Sequence, residues 1–220
     1  MNELIFVLQT CIIAAGSLLA LRLGKEALVT FITLLCVLAN LFVVKQITLF
    51  GLQVTAADAF SVGAIFSLHL LQEFFGKKTS KRAIWTCFTF LLFYAAISQI
   101  HLLFIPTMFD TVHPHFAALL QFAPRLVLAS LTVYFFVLHL DRFLYEKFQQ
   151  LFGSKHFFVR NYLLLALIQL IDTVGFSFLG LYGIVNNMWH VVFVSFVVKL
   201  AAISLTTPFL LLVKKLQNRR

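Results

Sequence analysis

Six charged or titratable side chains stand inside otherwise apolar runs: Asp58, His69, Glu73, Arg125, Asp172 and Lys199. At the centre of a bilayer each costs from about 2.5 to more than 10 kcal/mol, so each needs a partner or a task. Asn40, Gln72, Gln99, His139 and Gln169 add hydrogen-bonding groups to the same runs. None of these groups has the spacing of a catalytic or metal site. HExxH, GxSxG and GxxxxGK[ST] are absent, and Cys11, Cys36 and Cys87 have no Cys or His at metal-ligand spacing. The expectation is no enzyme, no metal and no cofactor. What these residue types suit is contact with a small polar solute, since carboxylates accept, Arg and Lys donate, and amides do both.

The elements that hold these groups follow from composition. Hydrophobic residues make up 61% of the 220 positions, Phe alone fills 27, and charged residues are only 11%. A soluble domain carries about 25% charged residues, so this chain cannot cover its own surface with solvated groups. That excludes a soluble enzyme, a disordered chain and a nucleic-acid module. The net charge of +9 sits in short gaps between apolar runs, so its partner is the anionic face of a lipid bilayer and no nucleic acid.

Windows of about 20 apolar residues, enough to span a bilayer, fall at 4–21, 27–44, 56–75, 83–105, 116–138, 161–185 and 191–213. Backbone in lipid must satisfy its own hydrogen bonds, so each window predicts a helix. The fold class is all-α: a polytopic integral membrane bundle of 6–7 transmembrane helices. One domain covers 1–220, with an extra first helix at about 4–21 ahead of a core at about 27–213. Ala14-Ala15-Gly16 reads as that helix's packing face. Its first charge is Glu3, where a cleavable signal would carry Lys or Arg. With the N-terminus outside and the C-terminus inside, fourteen Lys and Arg fall on inner segments and only Lys45 on an outer one.

At about 100° per residue, the polar groups gather into stripes. Asp58, His69, Gln72 and Glu73 share a side of the third span. Arg125, Thr132 and His139 recur every seven residues on the fifth. Gln169, Asp172, Thr173 and Phe176 mark the sixth, and Ser195, Lys199 and Thr206 the seventh. Depth counted from the outer ends is roughly 12–14 Å for Lys199 and Arg125, and roughly 20 Å for His69 and Asp172. Glu73 lies deeper, and Asp58 and Asn40 lie near the outer end. Two readings stand at this point. The stripes line the polar cavity of a small transporter or channel, or they are interhelical glue, with Asp172 paired to Arg125 or Lys199. Asp58 and Glu73 have a further reading as interfacial groups reaching water.

Four segments then carry a resemblance. They are Ala39-Asn40 with Lys45; Glu73-Phe74-Phe75-Gly76-Lys77-Lys78 through Arg82; Arg125 followed by Ala129-Ser130 and Asp141; and Gln169-Leu170-Ile171-Asp172-Thr173-Val174-Gly175-Phe176. Lys199 and Thr207-Pro208 complete the pattern. From about residue 36 onward the chain resembles the queuosine-precursor transporter family, also called the vitamin uptake transporter family. The resemblance implies a multi-pass protein of the bacterial cytoplasmic (inner) membrane that imports purine-like 7-deazaguanines for tRNA modification. An alternative is a substrate-binding membrane subunit energised by separate ATPases. Whether the chain forms a homo-oligomer stays open. Many relatives carry Thr-Asp where Leu68 and His69 stand here, which bears on substrate preference.

For such a ligand, Asp172 or Glu73 would accept from N1–H and the exocyclic amine, and Arg125 or Lys199 would donate to O6. Phe176 would stack on the base and His69 would titrate during the cycle. Asn40 and Gln169 complete the candidate binding set.

Overall fold

The computed structural model describes residues 1–152 and 157–201. The end of the expected last span, with Lys155, Thr206, Thr207 and Pro208, lies outside the described residues. Helix α1 (Asn2–Leu23) carries Glu3 in its first turn and Arg22 in its last, each matched to the helix dipole. Gly24, at φ 111°, ends it, and α2 (Lys25–Phe42) begins at the next residue. A left-handed φ suits glycine, so one residue makes the whole reversal.

A short β-hairpin follows, β1 (Gln46–Leu49) against β2 (Leu52–Thr55), with Gln46 opposite Thr55. Phe50 and Gly51 both have positive φ, 52° and 79°, the type I′ geometry that suits strand twist. This hairpin is the departure from the all-helical expectation, which read Phe50-Gly51 only as a break. It ties distant parts together. Asn2 Nδ2 donates to Thr48 O at 2.9 Å, and Gln46 Oε1 accepts from the Asn186 amide at 3.0 Å.

Helix α3 (Asp58–Leu102) is 45 residues long, about 67 Å if straight and twice what a bilayer needs. It is not straight: Gly76, at φ 85° and ψ 162°, breaks it into two arms. Leu70 and Leu71 of the first arm share an apolar cluster with Ala83 of the second and with Leu28 and Ile32 of α2. The chain therefore doubles back at Gly76, and the expected spans 56–75 and 83–105 are its two arms.

After a loop, α4 (His113–Leu120) starts with Pro in its first turn, and α5 (Ala123–Phe152) follows. The window 116–138 is therefore not one continuous helix. At the other end, α5 stays helical through residues expected to begin a loop at Asp141. Helix α6 (Phe157–Phe176) passes into a π-turn at Ser177–Leu181, short of the expected limit of 185, and α7 covers Met188–Ala201.

Among the described residues, five helices are long and apolar enough to cross a membrane, the folded α3 counting once. Large apolar side chains are exposed along them, among them Leu8, Phe93, Phe136 and Phe193, as lipid-facing helices require. Helix α1 is keyed into the bundle by small residues. A Cβ on Gly63 of α3 would collide with Ile13, and one on Gly16 would reach Phe31 at 2.8 Å. Ser67 Oγ donates to Ser17 Oγ at 2.9 Å, both fully buried. Of the expected Ala14-Ala15-Gly16 face, Gly16 packs while Ala15 is exposed.

Candidate functional site

Helices α6 and α7 meet through charge. Lys199 Nζ lies 2.9 Å from Asp172 Oδ2 and donates to Thr173 Oγ1 at 3.1 Å. The Lys199 side chain is 14% exposed and that of Asp172 34%, so the cation is the more enclosed partner. Two adjacent residues of α6 thus occupy one ammonium, and the carboxylate retains access to a solute.

That access is a cavity of about 330 Å³, large enough for a small planar molecule. Asn40 of α2, Ser61 of α3, Ser130 of α5, and Asp172 and Lys199 supply its polar groups. Phe176, Phe88 and Tyr134 supply aromatic wall; the last two meet edge to face with centroids 4.8 Å apart. Asn40 Nδ2 is spent on Cys36 O at 2.9 Å. Its buried Oδ1 has no donor among the described residues. An orphaned buried acceptor costs about 1–3 kcal/mol, which a ligand N–H would remove. A Cβ on Gly175 would stand 3.2 Å from Val133. The bare glycine lets α6 close on α5 and bring Phe176 to the wall.

Of the eight residues expected at the site, Asn40, Asp172, Phe176 and Lys199 line this cavity. The other four do not. His69 is half-buried on the first arm of α3 with no hydrogen bond among the described residues, and Gln169 is half-buried one turn before Asp172. Glu73 is exposed one turn before the Gly76 kink.

Arg125 is exposed in the first turn of α5. It donates to Leu179 O at 3.0 Å and to Tyr182 O at 2.7 Å, the carbonyls left over where the π-turn ends. The break before Ala123 explains its place, since the expected 116–138 window buried it well inside a span.

Two polar stripes also face elsewhere. Ser130, Val133 and Tyr134 line the cavity from α5, whereas Arg125, Thr132 and His139 are exposed. Ser61, Ala64, Ile65 and Leu68 line it from α3, and Asp58, His69 and Glu73 do not. Sequence reasoning missed the contribution of Ser61, Phe88 and Tyr134, whose types are ordinary in an apolar helix.

A second cavity, of about 460 Å³, opens at the start of α2 and of the second arm of α3, beside Lys25, Lys78 and Arg82. It lies away from the Asp172–Lys199 pair. Groups of three or more His, Cys, Asp or Glu able to hold a metal ion are absent among the described residues.

Comparison with known proteins fits this arrangement. The pattern of the vitamin uptake transporter family matches residues 55–213. The "Probable queuosine precursor transporter" of Bacillus subtilis (strain 168) is 32% identical over 198 residues, covering 88% of this chain and 86% of that protein. No solved structure matches the chain. Membrane-length helices enclose a largely apolar cavity that holds the Asp172–Lys199 pair, and the match runs over most of the chain: it belongs to the vitamin uptake transporter family, a transporter and not an enzyme.

Proposed function

We propose that this chain imports queuosine precursors, 7-deazaguanines such as queuine, queuosine or 7-aminomethyl-7-deazaguanine, across the bacterial cytoplasmic membrane for tRNA modification. The observation that carries the reading is the Asp172–Lys199 pair at the edge of an aromatic-walled cavity. The name of the Bacillus relative supports the substrate class. In this reading the Asp172 carboxylate accepts from the adjacent N1–H and amine of the base, and Lys199 donates to O6. Asn40 Oδ1 accepts a further N–H, and Phe176 stacks. His69, Gln169 and Glu73 act on the route rather than on the bound base. Arg125 anchors the π-turn.

The domain is a single unit over 1–220 in seven crossings, N-terminus outside and C-terminus inside, with α1 outside the transport core because it lines no part of the cavity. Cysteines placed at Asn187 and Lys78 should then label from opposite sides of the membrane, and labelling from one side overturns the topology. The function is tested in a bacterium unable to make queuosine precursors. Expression should restore tRNA queuosine when at least one precursor is supplied, and unchanged tRNA with every precursor overturns the assignment. Uptake by the purified chain in ATPase-free vesicles excludes the ATPase-energised alternative.

A further inference from the structure

Asp58 is a carboxylate that substrate chemistry does not use. It opens α3, is 5% exposed and lines no part of the cavity. Ser195 Oγ donates to its Oδ1 at 2.7 Å, and its Oδ2, also buried, has no donor among the described residues. A buried carboxylate with one satisfied oxygen and one orphan is a poor resting place for negative charge. A proton on Oδ2 removes that charge while Oδ1 keeps its bond to Ser195.

The cation that would otherwise neutralise Asp58 is occupied. Ser195 and Lys199 are one turn apart on α7, so the same helix face serves both carboxylates. The Lys199 ammonium, however, rests on Asp172 and Thr173. Among the described residues, the other titratable groups around the start of α3 are engaged or turned outward. Glu3 holds the Phe50 amide, Lys45 is exposed, and His190 meets Gln53 and Asn187. One cation therefore answers two acids, and the set is neutral only with one proton added.

We infer that Asp58 is the proton-binding site of a proton-coupled importer, with Lys199 as the shared cation that links proton to substrate. This rests on the proposed transport function. With Lys199 on Asp172, as here, Asp58 holds its proton before the substrate arrives. A substrate that joins Asp172 and Lys199 keeps the ammonium there, so proton and substrate cross together. On the far side Lys199 turns one helical turn toward Asp58 as the substrate leaves, and Asp58 gives its proton to water. The empty protein resets when Asp58 takes up a proton again and Lys199 returns to Asp172. Proton and substrate then move in the same direction, as import down the proton gradient requires.

Two measurements test this on the full chain. Infrared difference spectra of detergent-solubilised protein at neutral pH should show the carbonyl band of a protonated carboxyl, lost in Asp58→Asn. Ser195→Ala, which keeps the carboxyl and removes its donor, should retain the band at higher frequency. A wild-type spectrum without the band, or one unchanged in Asp58→Asn, overturns the inference whatever the substrate proves to be. In proteoliposomes, an inside-alkaline gradient should speed wild-type uptake of a labelled 7-deazaguanine at least fivefold. In Asp58→Asn that ratio should fall to near one. Wild-type uptake indifferent to the gradient overturns coupling while leaving the transport function standing. No uptake of any precursor overturns the transport function, and the spectra still decide protonation.

Discussion

Lys199 and Arg125 are both cations inside apolar sequence, and the structure answers them in opposite ways. Lys199 meets a carboxylate and a hydroxyl at the edge of a cavity. Arg125 meets two backbone carbonyls, in and just after the π-turn that follows α6. Carbonyls freed by a π-turn need donors whether or not a solute is present, so Arg125 has a complete structural task. A carboxylate shared between an ammonium and an open cavity has an exchangeable one. A charge in a membrane helix is thus a weak sign of a site, and the partner it meets is the stronger one.

The comparison breaks most visibly at Asp172. A hydrogen bond to a charged group is worth about 1.5–3 kcal/mol, or roughly tenfold to a hundredfold in affinity. Asp172→Asn should lower uptake by about that factor while the protein stays folded and inserted. The change also leaves Lys199 short of a counter-charge, at about 1–2 kcal/mol because the pair is partly solvated. Adding Lys199→Met should recover thermal stability in detergent without recovering uptake. Normal transport by Asp172→Asn would reduce the pair to interhelical glue.

At Arg125 the expected pattern is reversed. Arg125→Gln loses two charge-assisted bonds, and the midpoint of thermal unfolding should fall by an amount equivalent to about 1–2 kcal/mol. Uptake per inserted molecule should stay within about twofold, because a side chain exposed at the end of the bundle lines no part of the cavity. A loss of uptake as large as that of Asp172→Asn, with stability intact, would return Arg125 to the site and dissolve the contrast.

The sequence made the helices legible, and with them four of the residues that line the candidate cavity. Long apolar windows leave little choice but helix, and Gly24 and Gly76 mark reversals because few other residues adopt their φ. Asp172, Phe176 and Lys199 were legible because a lone carboxylate and a lone ammonium in facing spans must find each other. The α3 and α5 stripes misled. Helical rotation says which residues share a face, but not which neighbour that face meets. The break at Gln121-Phe122 then reset the depth of Arg125. The hairpin went unread because four-residue strands beside long apolar runs leave only the turn residues as a signal. Ser61 and Tyr134 became visible only once the arms of α3 and α5 were set around the cavity.

The smallest effect belongs to Asp110, which mirrors Arg125 with the charge reversed. Its Oδ1 accepts from the Val112 amide at 2.7 Å and the His113 amide at 3.1 Å, in the loop that leads into α4. These backbone bonds favour the ionised form, led by Val112, and hold the carboxyl below its ordinary range. A depressed folded value means that the stabilisation is complete above the unfolded value of about 3.9. It fades as pH falls through the folded value. Hydrogen exchange at Val112 and His113, corrected for the intrinsic rate, should show constant protection from neutral pH down to about 4 and a decline below. Asp110→Asn keeps the shape and removes the charge, so protection should fall a few-fold at neutral pH and lose that acid dependence. Uptake should not change, because this carboxylate, like the Arg125 guanidinium, is answered by backbone and lines neither cavity described above. Altered transport in Asp110→Asn would show that this loop reaches the substrate route, and the rule that the partner identifies the site would fail at its easiest test.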